Sequence, residues 1–565
     1  MKYSGWDVSG YERQAAVGLV RSGFNPLLAA LLASRGIKTV SETKKYMSDN
    51  ISDIPDPMDM ADMDKAVERV RTAVEQRELS AVLGDYDVDG ITAGCLMTRY
   101  LRSKGLNCEL IIPEKREEGY GISKRVLDEL ASKGVTLAVS VDCGITSIEE
   151  AKYAKELGID LIITDHHECR QELPAAAAVV NPKRVDCGYP EGMLAGVGVA
   201  FLLVCACEGK DNSESLINEY GDLVALGTIA DVMPVMGVNR IFIKHGIKLI
   251  HKGSRPGIRM LADASGIDVE KLNVTEVGFG LAPRLNAAGR MGKASTAVKL
   301  LMSETDGEAK KYAGELCELN TERRRVEGDM LDEALKLAAE LPELSSPIVL
   351  ASEKWCLGVA GIVASRLAEK FSRPAVVICL SDGVGRGSCR SYGDYNIHAA
   401  LDCQRDLLVS FGGHEMAAGL TIEQDNIEEL ARKLSSATED GAAAGKRLVV
   451  DFEVIKPGLL TMDNVAALSL LEPFGNGNPS PVLCIREALI ESVFSLSGGK
   501  HSKFRICKNG ESFDGVFFGK TVEELQVKPG DFADIAFVPQ INEYRGRRTV
   551  QLYLSDMRIL PREGL

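Results

Sequence analysis

The chain has 565 residues, and at roughly 100–200 residues per domain it should hold three to five domains. Its apolar fraction of 45 % suits several buried cores, while no apolar run approaches the ~18 residues of a membrane span and the N-terminal "MKYSGWDVSGYERQ" lacks the apolar centre of a signal peptide. A net charge of −15 argues against a broad basic face that coats nucleic acid, but leaves room for a local basic groove, because charges farther apart than ~8–10 Å are largely screened at physiological salt.

From about residue 78 to 235, short β-rich runs alternate with helical ones. "SAVLGD" (80–85), "CELIIP" (108–113), "LAVSVD" (137–142), "LIITDH" (161–166) and "AAVVNP" (177–182) read as buried strands. "ITAGCLMTRYLRSKG", "ISKRVLDELASKG" and "SIEEAKYAKELG" read as the helices between them, each ending near glycine. This alternation predicts a parallel sheet with helices on its faces. Residues 295–340 are charge-rich and helix-favouring, with one break signal at Asp306-Gly307, and predict a long connecting helix whose charged stripe is a solvated face. A second α/β unit begins near Pro347 with "PIVLAS", "GVAGIVASRLAEKF" and "PAVVICL", and ends near Gly445. From about 448 onward, short β-rich runs separated by turn signals predict a small barrel or sandwich, a five-stranded nucleic-acid-binding barrel among the candidates. The fourteen cysteines show no C-x-x-C spacing, and Cys205 and Cys207 lie inside the apolar "AFLLVCACEG". They read as reduced core thiols, which fits a cytoplasmic protein, and zinc ligands are not clustered.

In an open parallel sheet, ligands gather beyond the carboxyl ends of the strands. There "LGDYDVDG" delivers Asp85, Asp87 and Asp89, "VSVDCG" delivers Asp142, "IITDHH" delivers Asp165, His166 and His167, and "GTIADVMP" adds Asp231. The chain has seven histidines, and two are adjacent at one strand end. A single aspartate at a strand end is most often a helix cap or turn residue. D-x-D-G also occurs in calcium loops, but the later ligands of an EF-hand are missing. Four carboxylate-bearing segments converging on one crevice would repel each other unless divalent cations intervene. An oxygen-rich set with one or two imidazoles suits Mn2+ or Mg2+ better than zinc.

These segments resemble, in order, the four motifs of the DHH phosphoesterase superfamily. "APRLNAAGRM" (282–291), "GVAGIVASRL" (358–367), "GRGSCRS" (385–391), "FGGHEMAAG" (411–419) and "EPFGNGNPSPV" (472–482) extend the likeness to the RecJ branch, the single-strand-specific 5′→3′ DNA exonucleases. The leader "LLASRGIKTVSETKKYM" is also similar. Two positions depart from related patterns. Leu83 stands where other DHH branches carry a histidine, a replacement shared by RecJ-type chains, and Asp85 is the residue that would compensate. Cys356 stands where RecJ chains often have a histidine.

The resemblance implies a multidomain α/β chain: a parallel-sheet DHH domain joined by a long helix to a smaller α/β DHH-associated domain, plus a C-terminal OB-like β-barrel. The expected divisions are a helical leader over 1–75 packed on the catalytic domain, the DHH domain with a helical extension over 76–294, the connecting helix over 295–345, the phosphate- and DNA-binding domain over 346–446, and the OB-like domain over 447–565. Asp85, Asp87, Asp89, Asp142, His166 and Asp231 would hold two divalent ions, with Asp142 bridging and Asp142, His166 and His167 serving the reaction. His167 would face the scissile phosphate, and Asp165 would orient its neighbours. Two such ions activate water for in-line attack on phosphorus, with no covalent enzyme intermediate. Substrate contacts would come from Arg284, Asn286 and Arg290, from Ser388 and Arg390, which would grip a 5′-terminal phosphate and so impose direction, and from His414 after its Gly-Gly pair. Lys500, Lys503, Arg505, Arg545, Arg547 and Arg548, with Phe504 and Tyr544, suit backbone tracking and base stacking along a single strand, or form a solubilising hairpin tip. The expected partners are single-stranded DNA, a single-strand-binding protein and a helicase, with the chain a monomer. A DHH phosphodiesterase for short oligoribonucleotides or cyclic dinucleotides is the alternative, disfavoured by the barrel at 448–565; a non-catalytic DNA-binding scaffold would have lost its ligands, which are intact here.

Overall fold

A computed structural model describes residues 3–113, 121–341, 346–436 and 447–561. The expected end of the second α/β unit near Gly445 lies outside the described residues. The chain forms two compact units: Asp49–Ala443 with Gly475–Gly477, and Met1–Ser48 with Ala444–Phe474 and Asn478–Leu565. Among the described residues, no helix is long and apolar enough to cross a membrane.

The first unit opens with a five-stranded parallel sheet of Leu79–Gly84, Asn107–Ile111, Leu137–Val141, Asp160–Thr164 and Ala178–Val180. Val82, Val139 and Ile162 enter one core, and Ala81, Leu83, Ala138, Leu161 and Ile163 enter another, because alternate residues face opposite sides of a strand. With both faces covered, the central strand Leu137–Val141 is buried at every position, and its sequence is a continuous small-apolar run broken only by Ser140. The strand order is second, first, third, fourth, fifth. The order therefore reverses between Leu79–Gly84 and Leu137–Val141, and a crevice opens beyond the carboxyl ends of that pair.

Where one long helix was expected over 295–345, there are two, Ala294–Met302 and Asp306–Glu340. Ser303 takes an extended backbone and Thr305 caps the second helix, accepting from Glu308 N at 3.4 Å, so the break falls just before Asp306-Gly307. The smaller α/β part is a mixed sheet in the order Leu408–His414, Ala417–Glu423, Val384–Arg390, Ala375–Ser381, Ile348–Ser352, with the helix Leu357–Phe371 packed on it. Gly412 and Gly413 lie within its edge strand.

The second unit is a closed barrel of five strands, Leu483–Leu496, His501–Lys508, Glu511–Phe517, Arg547–Ile559 and Phe532–Tyr544, the last pairing back onto the first. The leader expectation is corrected here. Gly5–Val8 pairs in parallel with Arg447–Val450, and Leu27 to Leu32 are buried in one cluster with Phe452, Leu468, Leu471 and Phe537. The helix Pro26–Ser34 is apolar on every side, so it has to be covered all round, and the barrel unit supplies that cover. Residues 49–76 instead join the first unit, where Met63, Ala66, Val67 and Val70 of the helix Met63–Gln76 enter the core on one face of the parallel sheet. The stacking role expected of Phe504 is also corrected. Phe504 is 1 % exposed in the barrel core, because it alternates with the outward Lys503 and Arg505, which both pair with Asp514. Tyr544 remains exposed, with the Arg545 guanidinium 5.2 Å from its ring centre.

Candidate metal centre and phosphate cleft

Each acidic group is placed by the turn that follows its strand. After Leu79–Gly84 the chain turns so tightly that a Cβ on Gly90 would lie 2.6 Å from Asp85 N. Asp87 caps the helix Val88–Ser103, its Oδ1 accepting from Gly90 N at 3.1 Å. Asp89, in the first turn of that helix, accepts from Gly196 N at 2.6 Å and Val197 N at 2.8 Å, the opening residues of the buried helix Gly196–Glu208. Asp142, just past Leu137–Val141, has a left-handed φ of 58°, held by its own N–H on Thr164 O at 3.0 Å. Non-glycine residues in that region are costly and persist where the surroundings over-determine them. Asp231 ends the helix Ser213–Ala230.

These groups meet. His166 Nε2 lies 3.1 Å from Asp142 Oδ1, 3.7 Å from Asp231 Oδ2 and 3.8 Å from Asp89 Oδ2. Donor atoms of Asp89, His166 and Asp231 fall within 4.8 Å of one another, as do those of Asp85, Asp87 and Asp142, and those of Asp142, His166 and His167. Asp142 is common to the last two groups and His166 joins them to the first, the layout expected of adjacent ion positions sharing ligands.

The electrostatics fit that reading. Burial, followed by the charges of Asp231 and Asp87, holds Asp89 well above the usual carboxylate range. Burial, then Asp89, Asp87 and Asp85, does the same to Asp142. Burial, then Asp87, brings Asp231 to about 7. Asp142 Oδ1 and Asp231 Oδ2 are buried without a hydrogen-bond partner. Buried acceptors in this condition are costly, and clustered carboxylates without counter-charge more so, so the donor set fits divalent cations. Burial lowers His166 to about 4, leaving a neutral imidazole suited to ligation. Burial alone would lower His167 too, but the Asp165 carboxylate outweighs it and raises the ring. Asp165 Oδ1 lies 2.7 Å from His167 Nδ1 and accepts from His166 N at 2.7 Å and His167 N at 3.1 Å. Its Oδ2 accepts from Ile145 N at 2.9 Å. Asp165 therefore holds the backbone of both histidines and the ring of His167.

A cleft of about 220 Å³ adjoins this centre, lined by Tyr86, Asp87, Asn286, Arg290, Leu357, Gly361, Ser388 and Arg390. Asp87 belongs to both the carboxylate cluster and the cleft. Asn286 Oδ1 accepts from Val88 N at 3.2 Å, tying the helix Ala282–Arg290 to the first acidic turn. Arg290 Nη1 donates to Gly358 O at 3.1 Å, and Arg390 Nη1 to Cys389 O at 2.8 Å. Burial lowers the pKa of both guanidiniums, a penalty that an entering phosphate would offset. A Cβ on Gly361 would lie 2.8 Å from Arg390 Nη2, so only glycine leaves the guanidinium its place. Two expected contacts do not line this cleft. Arg284 Nη1 turns back to Gly280 O at 2.5 Å, and His414 stands exposed at the end of the edge strand, its partner Ala417 in turn pairing with Arg390. Tyr86, Leu357 and Gly361 were missed by sequence reasoning. Tyr86 sits in plain view between Asp85 and Asp87, and Gly361 lies inside "GVAGIVASRL" with Leu357 just before it, but nothing there says which of those residues faces the cleft.

The fold and this donor set define a DHH-family protein. Residues 80–228 match the DHH family N-terminal domain, residues 345–440 the DHHA1 domain and residues 450–556 the RecJ OB domain. The chain belongs to the RecJ family. It is 37 % identical to the single-stranded-DNA-specific exonuclease RecJ of Bacillus subtilis over 536 residues, 94 % of this chain and 68 % of that one. It is 34 % identical to the Escherichia coli protein of the same name, over 94 % of this chain and 96 % of that one. The crystal structure of RecJ from Thermus thermophilus in complex with Mn2+ superposes with a TM-score of 0.83 at 30 % identity, covering 98 % of this chain and 79 % of that one. The same protein has also been solved with Mg2+.

Proposed function

We propose that this chain is a two-metal-ion exonuclease that removes mononucleotides from the 5′ end of single-stranded DNA. The observation that carries this reading is the sharing of Asp87 between the carboxylate–imidazole cluster and the cleft of Asn286, Arg290, Ser388 and Arg390. Asp85, Asp87, Asp89, Asp142, His166 and Asp231 would hold the ions, Asp142 between them. Two Mn2+ or Mg2+ ions, when bound, make water a stronger nucleophile and steady charge on the attacking and leaving oxygens. Arg290, Arg390 and Ser388 grip the terminal phosphate, and the scissile bond then lies a fixed distance from that end, which gives the reaction its direction. His167, held by Asp165, faces the scissile phosphate and adds positive charge where negative charge develops. The similarity to named single-stranded-DNA-specific exonucleases supports the substrate class, and the match of residues 450–556 to a RecJ OB domain disfavours an oligoribonucleotide or cyclic-dinucleotide substrate. Such an enzyme, acting as a monomer, would meet its substrate where a helicase parts a duplex and a single-strand-binding protein coats it.

The test is digestion of single strands labelled at the 5′ or the 3′ end, in DNA and RNA, with Mn2+ present. Release of 5′-labelled mononucleotide from DNA before any shortening at the 3′ end is expected. Equal digestion from both ends would remove the directional claim.

A further inference from the structure

Asp231 stands at an unusual helix end. Val232 N donates to Ile229 O at 3.1 Å and Met233 N to Thr228 O at 3.2 Å, so the helix Ser213–Ala230 closes in the double-bonded turn whose first outside residue takes left-handed backbone. Glycine ordinarily fills that position. Here it is Val232, with φ of 57°, a genuine outlier for a β-branched side chain. Val232 is 64 % exposed, so packing does little to hold it.

What meets it comes from 244 residues farther along the chain. Asn476 Nδ2 donates to Val232 O at 2.8 Å, and Val235 N donates to Asn476 O at 2.7 Å. A Cβ on Gly475 would lie 2.6 Å from Val235 Cγ2, and one on Gly477, at φ 71°, would lie 3.1 Å from Pro234 Cβ. The tripeptide is thus seated on the 232–236 segment too closely for side chains at its flanks. Gly475–Gly477 belong to the same compact unit as the metal centre, although the residues on either side do not.

We propose that Asn476 is a positioning residue for Asp231: it clamps the strained Val232 peptide and so sets where the preceding carboxylate stands for ion binding. The inference rests on the reading of Asp231 as a metal ligand. The "GNG" of "EPFGNGNPSPV" then has a task in the metal centre rather than in the barrel.

The test uses the full chain, with Mn2+ titrated calorimetrically in the absence of DNA and melting followed alongside. Asn476→Ala keeps the main-chain acceptor and removes only the side-chain donor. It should weaken Mn2+ binding about 3–10-fold, the span of a single hydrogen bond, and slow digestion at limiting Mn2+ with recovery at saturation. Asn476→Asp, which cannot donate, should weaken it at least as much. Val232→Gly relieves the strain, so adding Asn476→Ala in that background should change Mn2+ affinity less than about twofold, a coupling that a double-mutant cycle reads directly. Asn478→Ala gives the contrast. Its side chain accepts from Arg35 Nη1 at 2.8 Å and donates to Leu471 O at 2.9 Å in the other unit, so melting should fall with Mn2+ affinity unchanged. An unaltered Mn2+ titration in Asn476→Ala, or equal weakening in the Val232 and Val232→Gly backgrounds, overturns the proposal. Asp231→Asn separates the two claims: if it leaves Mn2+ binding unchanged, the ligand assignment itself fails; if it weakens binding and Asn476→Ala does not, only the positioning role falls.

Discussion

Substituting Gly196 with alanine should cut the rate while sparing the fold. Gly196 opens the helix that donates to Asp89, and a Cβ there would sit 2.5 Å from Asp142 Cβ, 2.7 Å from Asp142 Oδ1 and 2.8 Å from Asp142 Cα. Carbon atoms rest at about 3.5–4.0 Å, so either the Asp142 turn or the helix end must give by roughly 1 Å. A misplacement of that size costs about 10²-fold in rate, or roughly 2.7 kcal/mol of transition-state stabilisation. Gly196 is not in the left-handed region, so alanine brings no backbone strain of its own. Two residues along the same helix, a Cβ on Gly198 would make only ordinary contact, 3.5 Å from Phe242 Cε2. Single-turnover digestion of 5′-phosphorylated single strands in saturating Mn2+ should therefore show Gly196→Ala slowed about 100-fold and Gly198→Ala within about twofold of the parent, with both melting cooperatively near the parent temperature. If Gly196→Ala digests within fivefold of the parent rate, or Gly198→Ala is equally slow, the close packing at Asp142 is not what sets the geometry.

Other perturbations have equally definite outcomes. If Asp142 stands between the two ions as proposed, Asp142→Asn should lower kcat by about 10³-fold or more, since a position shared by both ions is worth several kcal/mol, and Mn2+ titration should show lost sites; full Mn2+ binding would contradict that place. Asp165→Asn should slow digestion about 10–100-fold and shift the pH profile, because the carboxylate that raises His167, holds its ring and accepts from the His166 backbone is gone; an unmoved profile would remove that role. In metal-free protein, Asp231 titrates near 7 and Asp89 and Asp142 well above the usual carboxylate range. Folded values above unfolded ones mean that their contribution to stability is complete below about pH 4 and is lost as pH rises through 7 and beyond. Mn2+ replaces those protons, so the gap in melting temperature between Mn2+ and chelator should widen from pH 5.5 to 8.5, and a constant gap would refute the linkage. Arg390→Lys keeps the charge and loses the planar fork, so the preference for 5′-phosphate over 5′-hydroxyl ends should shrink by about tenfold, as measured by kcat/KM on the two substrates.

Much of the site was legible because a parallel sheet concentrates polar residues at its strand ends. Asp85 to Asp89, Asp142 and the histidine pair could be picked out by following apolar runs to where they stop. The strand order that sets Asp142 opposite Asp87 was not legible, since it depends on which strands pair after the intervening helices pack. The leader shows the limit clearly: Leu27 to Leu32 announce a helix that must be covered, but nothing in them names the barrel as the cover. Phe504 is legible from the alternation of its own strand. Ser502, Phe504 and Ile506 alternate inward while Lys503 and Arg505 point out, so an aromatic between two cations on a strand belongs to the opposite face. Arg284 and His414 carried the right chemistry in the right motifs, yet Arg284 turns to its own helix start and His414 lies on an edge strand, facts set by side-chain direction rather than composition. Leu357 and Gly361 line the cleft, and Asn476 meets Val232, through contacts distant in sequence; the motifs that hold Gly361 and Asn476 are legible in the sequence, but which of their residues make these contacts depends on the packing.

Crystals of the full chain soaked in Mn2+, with anomalous difference density recorded at the manganese edge, test the centre most directly. Two peaks about 3.5–4 Å apart are predicted, both touching Asp142, with Asp89, His166 and Asp231 around one and Asp85 and Asp87 around the other. A single peak, or two peaks that leave Asp142 untouched, would contradict the arrangement from which the proposed chemistry follows.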